Sequence, residues 1–187
     1  MALLILGILL FAGIHLIPSL APGVKSAWHG KLGEGGYKGS FALLLLTSIV
    51  LMVAGWKSAD PFALYMPVSQ LRQPGIALVM IAIGLLVVGS RNSRIRQGVR
   101  HPQLTGVLIW ALAHLVMNGD SRSVVLFSGM AIWSFVEIRA ISKREGRWEK
   151  ADIPSIGSEV ITAIITIVLV TAFVFGHPYF AGIPVIY

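Results

Sequence analysis

The apolar residues of this chain fall into six blocks, at about 2–20, 41–56, 74–90, 103–118, 122–138 and 157–176. A bilayer core of roughly 30 Å takes about 20 apolar residues as a helix, which is near the length of each block. In hydrocarbon a backbone N–H or C=O finds no water, so a crossing segment satisfies its own hydrogen bonds by becoming a helix. Only 12% of the 187 residues are charged, about half the share of an ordinary soluble domain. The expected architecture is all-α: a polytopic transmembrane helical bundle of about six spans, forming one domain over residues 1–187. Short connectors leave no room for a second core.

The formal net charge of +7 invites a nucleic-acid reading until its distribution is considered. Lys25, Lys31 and Lys38 fall in the first connector, and Arg91, Arg94, Arg96 and Arg100 in the third. Arg139, Lys143, Arg144, Arg147 and Lys150 follow the fifth span. Lys57, Arg72 and Arg122 alone fall on the other side, so twelve of the fifteen basic residues share one face. That is a positive-inside pattern, placing odd connectors in the cytoplasm and both termini outside. A basic face of this kind meets anionic head groups, so lipid and not nucleic acid is the expected partner.

Met1 leads directly into "ALLILGILLFAG" without a basic region, and "SLAPG" puts proline where a leader would be cleaved. A retained first span is expected. The chain has no cysteine, which excludes disulfides, thiolate iron–sulfur ligation, thiol nucleophiles and covalent c-type haem. In the first connector, "APGVKSAWHGKLGEGGYKG", Gly35 and Gly36 predict a turn, and Trp28 and Tyr37 fit an interfacial belt. The second, "KSADPFALYMPVSQLRQP", is expected along the outer interface. "NGDS" predicts a tight hairpin between spans four and five, with Asp120 or Ser121 capping the fifth helix. Ser155 or Ser158 is expected to cap the sixth, with Glu159 complementing its dipole.

Of five histidines, His15 and His114 lie inside spans. An intramembrane ionisable residue is costly and marks function by default, whereas the plainer reading is a neutral imidazole bonding a neighbouring helix. Two such residues without a paired acid point toward metal ligation, the commonest task of neutral imidazole. Gly106, Trp110, His114 and Asn118 recur every four residues and share one helix face. That face suits a porphyrin plane and equally a tight helix–helix seam. Ala12, His15 and Ser19 form a similar stripe on the first span. His29 reads as a surface residue and His177, in "FGHPYF", as interfacial.

In "RHPQLTG", Pro102 predicts the first turn of span four. Arg100 and His101 then sit at the cytoplasmic rim, as head-group anchors or as a phosphate or propionate clamp. No zinc signature, glycine-rich nucleotide loop or Ser-His-Asp order occurs. Glu137, near the inner end of span five, is placed to meet His101, His15 or Arg100.

Taken together, "LLFAGIHLIPSLAP", "KLGEGGYKG" and "RHPQLTGVLIWALAHLVMNGD" resemble the NnrU family of multispanning membrane proteins, named for nitrite and nitric oxide reductase regulation in denitrifying bacteria. That family is similar to the 15-cis-zeta-carotene isomerases, which use haem b. The resemblance implies His15 and His114 as axial haem ligands, a lipid-soluble polyene as substrate, and a bacterial inner-membrane location. It also implies redox-dependent coordination that lowers a cis–trans barrier. Ala111 stands where the isomerase has a cysteine near its second ligand, so a thiolate step has no counterpart in this chain.

The span boundaries set His15 and His114 at depths differing by roughly 10–12 Å, at about 1.5 Å per residue. His15 with His101 matches on the inner side, and His114 with His177 on the outer. Three functions follow as expectations. The first is a haem b protein acting as an isomerase or as an accessory of denitrification. The second is an S-adenosylmethionine-dependent methyltransferase, since R-H-P-x-x-x-G resembles membrane isoprenylcysteine-type enzymes, with Glu145 and Glu149 as the nearest acidic pair. The third is a cofactor-free scaffold.

Overall fold

The computed structural model describes residues 1–150 and 152–185. They form six helices: α1 (Ala2–Leu20), α2 (Pro22–Ser58), α3 (Arg72–Gly89), α4 (Pro102–Met117), α5 (Ser121–Glu145) and α6 (Ile156–Ala181). Short 3-10 turns occupy Ser69–Leu71 and Arg94–Gln97. Among the described residues no strand forms, and the all-α membrane architecture holds. Five helical stretches, including Ser69–Gly89, are long and apolar enough to cross a bilayer, while α4, at 16 residues, is shorter.

The helices pack in the order α2–α1–α5–α4–α3–α6, so sequence neighbours α2 and α3 stand apart. Small residues set the seams. A Cβ on Gly55 would lie 2.2 Å from the Leu4 backbone nitrogen, and one on Gly7 would lie 2.7 Å from that of Met52. With Ser48 and Leu4 fully buried between them, the backbones of α1 and α2 approach as small-residue membrane seams allow. Gly106 does the same for α4 against α3, where a Cβ would meet the Ala82 carbonyl oxygen at 2.8 Å. The aromatic centre lies on α5: Phe127, Met130, Ala131 and Trp133 with Ala111 of α4, flanked by Phe11 and Leu16 of α1.

Residues 59–71 return from α2 to α3 by crossing the α4–α5 hairpin. Leu64 and Tyr65 N–H groups donate to the Gly119 carbonyl at 2.8 and 3.2 Å, and Ser121 N–H donates to Phe62 at 2.8 Å. The Tyr65 hydroxyl donates to the Leu115 and Asn118 carbonyls. Of the carbonyls that the end of α4 leaves open, these bonds satisfy that of Leu115, together with those of Asn118 and Gly119 just beyond it.

The hairpin at Asn118–Asp120 and the caps follow expectation. Asp120 Oδ1 accepts from Ser123 N–H at 3.1 Å, and Ser155 Oγ from Ser158 N–H at 3.4 Å. The first connector does not. It is helical from Pro22, and the break falls at Gly33 (φ 67°, ψ 178°), not at Gly35–Gly36. Glycine alone adopts that backbone without cost. Trp28 and Tyr37 rings pack 5.0 Å apart across the break, holding together a segment whose composition reads as loop. Charge misled at α5 as well: the helix runs to Glu145 instead of stopping near 138, because backbone bonding continues where apolarity ends. Glu159 sits in the first turn of α6 as expected. It also accepts from Arg94 N–H at 2.6 Å and Ser93 Oγ at 3.0 Å, tying α6 to the α3–α4 connector.

Candidate functional site in the α1–α4–α5 interior

The histidines of the apolar helices α1 and α4 are held the same way. The Nδ1–H of His15 donates to the Phe11 carbonyl at 2.9 Å, and that of His114 donates to the Trp110 carbonyl at 2.8 Å. Each bond reaches back one helical turn to a carbonyl, which can only accept. The proton is therefore on Nδ1 in the neutral ring, and the lone pair is on Nε2. Neither Nε2 has a hydrogen-bond partner among the described residues, and neither is buried out of reach. A backbone carbonyl fixing one ring nitrogen is how metal-ligating imidazoles are oriented.

Aromatic rings set the position of each imidazole. His15 lies 4.2 Å from Phe11, 5.0 Å from Trp133 and 5.9 Å from Phe41, centroid to centroid. His114 stacks on Phe127 at 4.4 Å, with Trp110 at 5.1 Å. The two therefore rest on different rings of α5. Phe127 and Trp133 are six residues apart, or about 9 Å along the axis at 1.5 Å per residue, a little less than the offset of roughly 10–12 Å read from the spans. His177 of α6 lies within electrostatic range of His114, the outer-side pairing noted above. Its Nδ1 is bonded to the Ile183 carbonyl at 2.5 Å.

Glu137 meets α1, as one of its expected alternatives required. Ser19 Oγ donates to Glu137 Oε1 at 2.5 Å, and the carboxylate is within electrostatic range of His15. Its other oxygen, Oε2, and Trp133 Nε1 are buried without a hydrogen-bond partner among the described residues. Trp133 was not singled out from the sequence. Its signal is the four-residue spacing to Glu137, which puts an open donor and an open acceptor on one face of α5.

The remaining candidates are engaged elsewhere. Gly106 faces α3, so the four-residue stripe divides: its first member builds a helix seam, and Trp110 and His114 face α5. Asn118 ends α4, its side-chain amide donating to the His114 carbonyl at 2.9 Å. Arg100 Nη1 donates to the Gly146 carbonyl at 2.9 Å, and Nη2 lies 3.5 Å from Glu145. His101 Nε2 shares a 2.9 Å hydrogen bond with Ser142 Oγ. Burial holds its pKa below the ordinary histidine value. Arg100 pushes the same way and Glu145 opposes. The pair thus fastens the start of α4 to the end of α5.

Residues 3–185 match the model of the NnrU protein family. This chain belongs to the NnrU family. No curated protein and no solved structure matches it. Family membership, the helical architecture and the long apolar helices make an integral membrane protein of the NnrU type.

Proposed function

We propose that this NnrU protein binds haem b in the membrane through His15 and His114, with both termini outside a bacterial inner membrane. One observation carries the reading: two intramembrane imidazoles, on separate helices, each with Nδ1 tied to its own helix and Nε2 left as a lone-pair donor. Neutral imidazoles of this form are able to ligate haem iron through Nε2. The donor set fits. Among the described residues no group of three or more His, Cys, Asp or Glu could hold a bare metal ion.

Trp110 supplies a flat apolar wall beside His114, and Phe11, Phe41 and Trp133 hold the His15 ring. When bound, haem would supply redox chemistry able to lower the cis–trans barrier of a lipid-soluble polyene. The apolar bundle would admit such a substrate from the bilayer and exclude water. An accessory role in nitric oxide metabolism uses the same two ligands.

The test is spectroscopic. Protein purified in detergent from haem-replete cells is expected to show a Soret band. His15→Ala and His114→Ala are each expected to abolish or shift it while circular dichroism stays helical. A colourless folded preparation, or a band indifferent to both substitutions, overturns the reading.

A further inference from the structure

A second site lies away from the histidines, where the α3–α4 connector meets the end of α5. A cavity of about 410 Å³ is lined by Arg96, Arg100, Glu145, Arg147, Trp148 and Glu149. Three guanidiniums against two carboxylates leave it positive, and Glu145 is further offset by Arg144 at 3.8 Å. The arginines differ in freedom. Arg100 is fixed by Gly146 and Glu145, whereas Arg96 makes one long bond, 3.4 Å, to the Arg91 carbonyl. Arg147 has no hydrogen bond or ion pair among the described residues. Both Arg96 and Arg100 are half-buried, so their charges are partly shielded from bulk water.

We propose that this cavity binds a phosphate group, with Arg96 and Arg147 as its free donors and Arg100 as the fixed wall. Planar guanidiniums match phosphate oxygens two at a time, and a half-buried arginine holding one long bond has donors to give. The cavity opens on the face that carries the basic connectors, where an anionic phospholipid head group is within reach. Trp148 is half-buried at its edge, the place where an indole settles at a membrane interface. A ligand with a sulfonium centre and net positive charge, such as S-adenosylmethionine, meets the wrong sign here. The site is independent of haem binding.

The experiment uses the whole protein in native mass spectrometry and in thermal-shift assays. Phosphatidic acid or cardiolipin is expected to be retained about tenfold over phosphatidylcholine, with Arg96→Gln/Arg147→Gln losing that preference. Arg139→Gln/Lys143→Gln removes equal charge from the same face outside the cavity lining, and is expected to keep it. Inorganic phosphate and ATP form a second arm. Stabilisation by either, dependent on Arg96 and Arg147, keeps the site and makes its source soluble; lipid retention alone makes it the bilayer. Equal losses in both double variants, or no preference among anionic and zwitterionic ligands, overturn the proposal. So does tight S-adenosylmethionine binding that needs the same arginines.

Discussion

Gly55→Ala tests whether the contact of α1 with α2 is set by backbone approach. The added methyl would sit 2.2 Å from Leu4 N, 2.6 Å from Leu4 Cα and 2.8 Å from Leu3 C, whereas ordinary contact begins at 3.4 Å. Relief therefore requires about 3.4 − 2.2 = 1.2 Å of separation, and no rotamer change supplies it, because all three atoms are backbone. A gap of about 0.5–1 Å already forfeits a quarter to a half of each dispersion contact, and this one is wider. Overpacking of this kind costs about 1–3 kcal/mol. Alanine also gains about 1 kcal/mol over glycine in any helix interior, so the control is Gly13→Ala, on the same seam-forming pair but with nothing within 4 Å of its methyl. The difference between the two variants isolates the clash. At about 2–4 °C per kcal/mol for a chain of this size, their midpoints in detergent thermal unfolding are expected to separate by about 2–12 °C, Gly55→Ala lower. Coincident midpoints refute the close-approach argument.

Asp120→Ala removes the side-chain cap of α5 and its bond to Ser123 Oγ, and is expected to lower stability by about 1 kcal/mol in the same assay. Tyr65→Phe removes the hydroxyl that the Leu115 and Asn118 carbonyls share. Faster hydrogen exchange at the Leu64 and Tyr65 amides is the expected readout, with unchanged exchange counting against the crossing strap. For His101 the folded pKa lies below 6.5, so the unfolded chain binds the proton first. Its stabilising share is therefore whole above pH 6.5 and is lost as pH falls through the folded value. A pH series of thermal midpoints is expected to show a shallower acid-side decline in His101→Gln, and parallel curves would remove the assignment.

The helices were legible because lipid imposes one rule, an apolar block of fixed length. Pro102, Asp120 and Ser155 then announced their starts through capping chemistry that operates within a turn. What sequence did not show is partnership between helices. The α2–α1–α5–α4–α3–α6 order arises from glycine seams such as Gly55 on Leu4 and Gly106 on Ala82, and a glycine does not say which backbone it will meet. The site was half visible for the same reason. His15 and His114 stand out as ionisable residues in apolar runs, whereas Trp133 and Phe127 look like ordinary core until the fold sets a histidine against each. Arg100 and His101 drew attention by motif, yet their donors face the end of α5, a contact spanning more than forty residues that no local pattern encodes.

The separation of α2 from α3 bears on how the molecule is made. Translation delivers the α1–α2 pair complete at Ser58, but its docking surface on α5 begins at Ser121, about sixty residues later. Insertion and final assembly are therefore separate events for this pair, which must dwell in the membrane unattached while α3 and α4 are threaded. A tether, residues 59–71, links the early and late halves, and its bonds to Gly119 and Ser121 can close only after the second half exists. Shortening that tether would hinder assembly of the nascent protein without touching either histidine.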